Sequence, residues 1–142
     1  MKNKMNVLLS DLVLFYHKLQ SYHWFVKGHP FFQVHSKLEG YYDEIKEQID
    51  EVAETMLMTG IKPVSKVSEF ASLSKITEAS GDYVETKEIF DNILSDFSYL
   101  LKSVSEIKSQ ADEESNYLVS AKMDGLIESY SKTIWMINQS RL

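Results

Sequence analysis

The chain has 142 residues, of which 15 are Lys or Arg and 21 are Asp or Glu, so its formal net charge is −6, and it contains no cysteine. This length suits one domain, residues 1–142, with a substantial hydrophobic core. The lack of cysteine excludes a disulfide scaffold and a thiolate metal site, and the acidic balance opposes a general attraction to DNA. No segment approaches the roughly 18 apolar residues of a membrane span. The N-terminal residues run directly into an amphipathic pattern, so we expect a soluble, cytoplasmic protein without membrane contact.

Apolar residues recur at three- and four-residue steps in four long segments, which predicts amphipathic helices. The first two cover about residues 7–27 and 31–59, and each stops at a glycine, the residue that most readily adopts a left-handed helix end. A crossover of residues 61–80 follows, and residues 66–73 within it have the spacing of a short helix. An ordered crossover with its own apolar face predicts contact with a partner subunit.

The third and fourth helices are predicted at about residues 85–110 and 113–138, with Asp112 as the N-cap of the fourth. The predicted apolar face of the fourth helix consists of Leu118, Met123, Leu126, Ile127, Tyr130, Ile134 and Trp135. Strand alternation is nowhere convincing. Four long helices with one long crossover after the second predict an all-α, ferritin-like four-helix bundle with a short extra helix in that crossover.

Five side chains of the types that bind iron, manganese or zinc lie in the first two predicted helices: His23, His35, Glu39, Asp50 and Glu54. His35 with Glu39 and Asp50 with Glu54 are i,i+4 pairs, adjacent on a helix surface. The step from Glu39 to Asp50 returns to the same face within roughly 20°, yet the two pairs lie roughly 22 Å apart along the axis. One straight helix therefore cannot bring both pairs to one metal centre.

Antiparallel pairing of two copies of the second helix resolves this geometry. With a two-fold axis near residues 43–45, the His35/Glu39 end of one copy meets the Asp50/Glu54 end of the other. His23, on the preceding helix, completes the histidine side. The spacing thus predicts a metal site shared between subunits, whereas each residue taken alone is more often structural or a part of the solvated surface.

These residues carry a resemblance that covers the whole chain. The chain resembles the Dps family, the mini-ferritins of bacteria, in the pattern His23-Trp24 … Gly28-His29-Pro30-Phe31-Phe32 … His35 … Glu39 … Asp50-Glu51-Val52-Ala53-Glu54. The resemblance implies a hollow dodecamer built from two-fold dimers. Each interface would hold di-iron ferroxidase centres, with His23, His35 and Glu39 from one subunit and Asp50 and Glu54 from its mate.

The implied chemistry is oxidation of Fe²⁺ by hydrogen peroxide or oxygen and storage of ferric mineral, which protects against oxidative stress. The sequence departs from the family at two positions: Glu39 stands where aspartate is common, and Thr55 where arginine is frequent. The glutamate keeps the charge but reaches one methylene further, and the threonine removes a possible subunit contact.

Other acidic and aromatic residues have two readings each. Glu47 and Glu51 either seed mineral or belong to a solvated helix face, and Asp124 and Glu128 either line an iron-entry pore or are surface charges. Trp24, beside His23, is either a nearby electron donor or a core residue. His29 is predicted to be a turn residue, and neither it nor His17 is assigned to the site.

Two alternative functions remain open at this point. A DNA-compacting shell protein would need several phosphate contacts per subunit, and only Lys2 and Lys4 precede the first predicted helix, with Arg141 near the other terminus. Many weak tails on one shell add avidity, so DNA binding is expected to be weak or absent. The other alternative is a shell whose centre is inactive or occupied by zinc.

Overall fold

The computed structural model describes all 142 residues and confirms the all-α, ferritin-like bundle with a short helix in the crossover. The helices are α1 (Lys2–Phe25), α2 (Phe31–Met58), the short α3 (Val67–Leu73), α4 (Thr86–Glu113) and α5 (Tyr117–Ser140). The main packing partners are α1 with α2 and α4 with α5. None of the helices is both long and apolar enough to cross a membrane.

One continuous hydrophobic core runs through the bundle, with members from all four long helices. Phe15 and Tyr130 are among its largest fully buried side chains. The ring of Phe97 meets that of Phe15 edge-on at 5.0 Å between centroids and lies 5.6 Å from that of Tyr41. The predicted apolar stripes of α1 and α4 face this core, which follows from their three- and four-residue spacing.

The crossover is fastened to α1 by two buried polar side chains. The Asn6 side-chain oxygen accepts a hydrogen bond from the Val64 amide at 2.9 Å. Asp11 accepts one from the Lys75 amide at 2.7 Å and one from the Ser74 hydroxyl at 2.9 Å. Burying a polar side chain is costly unless it is hydrogen-bonded, and both of these side chains are. The proposed contact between this crossover and a partner subunit stays a prediction.

The structure corrects two expectations about the chain's shorter features. Val26–Lys27 (β1) pairs in parallel with Val84–Glu85 (β2), a bridge whose two-residue strands are too short to show alternation. Asp112 lies inside α4 and does not cap the next helix. That N-cap is Asn116, whose side chain accepts a hydrogen bond from the Val119 amide at 3.2 Å.

The predicted apolar face of α5 is partly wrong. Leu118 and Trp135 are 42% and 60% exposed, although both were expected in the core. Val119 and Ile137 are buried in the core. The buried face of α5 runs through Val119, Met123, Leu126, Tyr130 and Ile137, so it is rotated relative to the predicted face. Two large apolar side chains therefore remain on the surface of the single chain.

Candidate metal centre

The two histidines of the predicted site meet where α1 ends and α2 begins. His23 lies in the last turn of α1 and is 6% exposed, while His35 lies in the second turn of α2 and is partly buried. The chain between them turns through Gly28, whose φ of 90° suits a residue without a side chain. The Phe31 amide then donates to the Gly28 carbonyl at 3.0 Å and closes the turn.

His23 and His35 hold each other through reciprocal hydrogen bonds. Nδ1 of His23 lies 2.6 Å from the backbone oxygen of His35, and Nδ1 of His35 lies 2.7 Å from the backbone oxygen of His23. A carbonyl oxygen only accepts, so Nδ1 is the donor in each ring, and Nε2 is the nitrogen left for a metal ion. Metal-binding histidines are oriented in this way, with one ring nitrogen donating to a carbonyl and the other binding the ion.

Aromatic side chains fix the planes of both rings. The two imidazoles stack with centroids 3.6 Å apart and planes 13° from parallel. Phe31 stacks on His35 with centroids 4.9 Å apart, and Tyr42 meets His23 edge-on at 5.3 Å. Burial, followed by the charges of nearby carboxylates such as Glu39, raises the pKa of the Tyr42 hydroxyl. Tyr42 was not predicted as part of the site, although its position two turns after His35 on α2 was a usable signal.

Glu39 is the carboxylate that the chain places beside this pair. Its Oε1 lies 3.7 Å from Nε2 of His23, and its side chain is about half exposed (54%). The carboxylate thus faces the free nitrogen, as a second ligand type on the same ion would. Because its side chain is half exposed, Glu39 is accessible to a partner that packs against α2.

Asp50 and Glu54 lie elsewhere. Both are exposed on α2, several turns beyond Glu39, and at about 1.5 Å of rise per residue they are too distant to reach the same ion. No three metal-type side chains of the single chain are grouped so as to hold an ion. Within the chain His23 contacts His35 and lies near Glu39, but these residues do not form a complete ion site, and the five-residue site stays a prediction that needs a second subunit.

The remaining histidines and Trp24 lie outside this cluster. Trp24 is 53% exposed, which excludes the interpretation of this residue as a core residue of the single chain. Its indole meets the ring of His17 edge-on at 5.9 Å. His17 faces Gln20 at 3.3 Å, and His29 is exposed in the turn.

Two of the other acidic candidates, Glu51 and Asp124, have partners within the chain. Glu51 lines a groove between α2 and α5 with Glu47, and it lies 3.9 Å from the ammonium group of Lys122. Asp124 is paired at 2.9 Å with Lys108, and the hydrogen bond to Asp124 raises the pKa of that lysine. A cation passing Asp124 would have to compete with this ammonium group.

Comparison with known proteins decides the family. The family described as Ferritin-like domain matches residues 2–140. The chain is 30% identical over 130 residues to the DNA protection during starvation protein of Helicobacter pylori, an alignment that covers 92% of this chain and 90% of the relative. It is 35% identical over 137 residues to DNA protection during starvation protein 2 of Bacillus anthracis, covering 94% and 90%. The chain belongs to the Dps family.

A solved Dps structure has the same fold along nearly the whole chain. The Dps protein of Vibrio cholerae O1, described as a member of a broad superfamily of ferritin-like diiron-carboxylate proteins, superposes with a TM-score of 0.95. The identity is 30%, and the match covers 99% of this chain and 88% of the other. The predicted family and fold are therefore confirmed.

Proposed function

We propose that this Dps protein is a ferroxidase that oxidises Fe²⁺ at centres shared between two subunits and stores the ferric product inside a hollow dodecamer. One observation carries the proposal. The chain builds a rigid imidazole pair with both Nε2 atoms free and a carboxylate facing one of them, yet it supplies no further ligand. A site shared between subunits requires an incomplete set of ligands of this kind at the surface of α2.

The missing ligands are Asp50 and Glu54 of the partner subunit. They are exposed on the same helix as Glu39, at the spacing that an antiparallel copy would bring opposite the histidines. The donor set suits the reaction, because neutral imidazole accepts Fe²⁺ and hard carboxylate oxygens favour the Fe³⁺ product. The Vibrio cholerae relative, described as a diiron-carboxylate protein, supports iron as the metal.

The chain's own groups have defined tasks in this reaction. The carbonyl oxygens of residues 23 and 35 hold the protons on Nδ1, so both Nε2 atoms remain available to Fe²⁺. Phe31 and Tyr42 restrict water around the rings. Hydrogen peroxide or oxygen serves as oxidant. With peroxide, two Fe²⁺ each give one electron, two protons are taken up and two water molecules form.

A complementation experiment tests both the activity and the sharing of the site. Metal-free protein is loaded with Fe²⁺ without oxygen, peroxide is added, and ferric absorbance is followed. His23→Ala and Asp50→Ala shells should each lose rapid oxidation, and Glu47→Ala, a neighbouring acid facing the groove, should keep it. Shells reassembled from equal amounts of the two inactive variants should regain about a quarter of the sites, because half of the dimers then contain one intact centre.

The outcomes separate three explanations. Recovery in the mixed shells supports a shared ferroxidase centre. Loss in both variants without recovery, in shells that contain both variants, contradicts the sharing. Equal slow oxidation by the wild type and both variants contradicts the ferroxidase and favours a shell with an inactive or zinc-occupied centre.

DNA protection, which gives two relatives their names, follows from the same activity. Removing Fe²⁺ and peroxide together prevents them from generating radicals near DNA, in the cytoplasm where we place the protein. Lys2 and Lys4 lie in the first turn of α1 and offer few phosphate contacts. We expect no retardation of plasmid DNA at moderate salt, and tight binding in that gel would favour direct compaction.

A further inference from the structure

A cavity of about 690 Å³ lies between the beginning of α2, the beginning of α4 and the end of α5. Its apolar wall includes Val34, Phe90, Met136 and Ile137. Val34 and Ile137 are buried, Phe90 is partly buried and Met136 is 40% exposed, so the wall continues from the core to the surface. None of the predicted metal ligands lines this cavity. Small-molecule sites are typically concave and mostly apolar, with a few polar groups that orient the ligand.

The hydroxyl of Tyr41 is a polar group of the cavity that has no partner. Tyr41 lines the cavity and is only 6% exposed, and its hydroxyl makes no hydrogen bond within the chain. The buried hydroxyl of Tyr130, by contrast, donates to the Gln48 side chain at 2.7 Å. Burial, followed by the charge of Glu44, raises the pKa of Tyr41 to about 12, so the hydroxyl is a donor at neutral pH. A recessed donor without an acceptor is unfavourable, and a ligand that brings an acceptor removes this cost.

A cation lies beside this hydroxyl group. The ammonium nitrogen of Lys37 is 5.2 Å from the centroid of the Tyr41 ring, an arrangement that holds the charge at the cavity. Lys37 takes part in no ion pair of the chain. The other two cations of the lining, Lys87 and Arg141, are both paired with Asp91. Lys37 is therefore the lining cation that remains for a negative group of a ligand.

We propose that this cavity binds a small amphipathic anion, a molecule with one carboxylate and an unbranched apolar chain. The carboxylate accepts a hydrogen bond from the Tyr41 hydroxyl and pairs with the Lys37 ammonium group. The apolar chain lies along Phe90 and Met136 toward the surface. A charge-assisted hydrogen bond fixes the head of such a ligand, and burial of the chain supplies affinity in proportion to its length.

The position of the polar groups favours a small molecule over a second copy of the chain. Because Tyr41 is recessed, a carboxylate has to enter the cavity to reach its hydroxyl, and the side of a packed helix is too broad to do so. The net charge also makes the proposal specific. At −6, the protein as a whole repels anions and attracts cations. A preference for an anionic ligand must therefore come from a local cation such as Lys37.

Isothermal titration calorimetry with dodecanoate, below its micelle concentration, tests the proposal on metal-free, assembled protein. The wild type should bind one dodecanoate per chain. Lys37→Met removes the cation and Tyr41→Phe removes the hydroxyl, and each should weaken binding about tenfold. Met136→Glu places a negative charge beside the apolar chain and should abolish measurable binding. Lys132→Met removes an exposed lysine outside the cavity and is the matched control, so its affinity should equal that of the wild type.

Two further ligands separate the contributions of chain and head group. Decanoate, which is two methylenes shorter, should bind about tenfold more weakly than dodecanoate because less apolar surface is buried. Dodecyltrimethylammonium has the longer chain and a positive head group. It should bind more weakly than dodecanoate to the wild type, although the net charge of the protein favours a cation.

Sedimentation and circular dichroism verify that every variant is assembled and folded. Weaker binding by both head-group variants, with unchanged binding by Lys132→Met, supports the proposal. Unchanged affinity in Lys37→Met or Tyr41→Phe overturns it, as does tighter binding of the cationic ligand. Absence of binding to the wild type also overturns it. If Met136→Glu dissociates the protein in that case, a second copy of the chain covers the cavity.

Discussion

Lys18 and Asp96 form an ion pair inside the bundle, with the ammonium nitrogen 2.8 Å from a carboxylate oxygen. Their side chains are 4% and 13% exposed, and the contact joins α1 to α4. Burial raises the pKa of Asp96, and the hydrogen bond and charge of Lys18 act in the opposite direction. The lysine therefore offsets part of the cost of burying the Asp96 carboxylate.

Removing the lysine should be strongly destabilising near neutral pH. Lys18→Met leaves Asp96 buried without its partner, which costs about 3 kcal/mol. The pKa of Asp96 then rises further above its unfolded value, so the native state binds more protons than the unfolded state. The free energy of unfolding of the variant should consequently fall as pH rises above about 4, through the window up to the raised native pKa.

Urea denaturation at pH 5 and at pH 7.5 measures this dependence. The double variant Lys18→Met/Asp96→Leu removes both charges and should recover most of the stability. Its free energy of unfolding should also lose the additional decrease with pH. A Lys18→Met variant as stable as the wild type at pH 7.5 would show that water or another group replaces the lysine.

Asp11 should control how firmly the crossover is held. One of its oxygens accepts from the Ser74 hydroxyl and the Lys75 amide, and the other accepts from the Tyr99 hydroxyl at 2.5 Å. Asp11→Ala leaves three donors without their acceptor and should cost about 3 kcal/mol, whereas Tyr99→Phe should cost about 1 kcal/mol. Hydrogen exchange at the Lys75 amide should accelerate in Asp11→Ala and change little in Tyr99→Phe. Equal protection in both variants would mean that the crossover is held by other contacts.

These buried charges also show where sequence reasoning stops. The long helices were predictable, because residues such as Phe15 and Ile93 repeat at helical spacing and must face the core. A charged residue within such a stripe pattern is ordinarily assigned to the solvent side. Nothing local reveals that Lys18 and Asp11 find partners on α4, since that depends on how distant segments pack.

The histidine site was predictable in residue type but only partly in geometry. Spacing correctly separated His35 and Glu39 from Asp50, since helical rise alone fixes their distance. It did not reveal the reciprocal carbonyl hydrogen bonds of His23 and His35, because those depend on the turn through Gly28. Nor did the spacing predict that Asn116 is the N-cap of α5.

The cap itself offers a stability test. Asn116 accepts from the Val119 amide in the first turn of α5, so Asn116→Ala should lower the free energy of unfolding by about 1 kcal/mol. Asn116→Asp retains the acceptor and adds a favourable charge near the helix N-terminus, so it should be at least as stable as the wild type. Thermal denaturation of both variants measures the difference. If both variants are destabilised by the same amount, Asn116 stabilises the turn through its backbone conformation and not through the side-chain cap.

The contribution of Glu39 to the predicted site can be separated into charge and reach. Glu39→Gln preserves size but removes the charge beside Nε2 of His23, which lies 3.7 Å away. It should weaken Co²⁺ binding by about tenfold or more, because a neutral amide is a poorer ligand than a carboxylate.

Glu39→Asp isolates the effect of reach. It keeps the charge and withdraws the carboxylate by one methylene. Because the side chain is half exposed and free to adjust, Co²⁺ affinity should stay within about threefold of the wild type. Visible absorbance of Co²⁺ added to metal-free, assembled protein reports both affinity and coordination, and Glu47→Gln serves as the control. If Glu39→Gln binds Co²⁺ as tightly as the wild type does, Glu39 is a surface carboxylate, and the first metal position is held by the histidines and the partner subunit's acids alone.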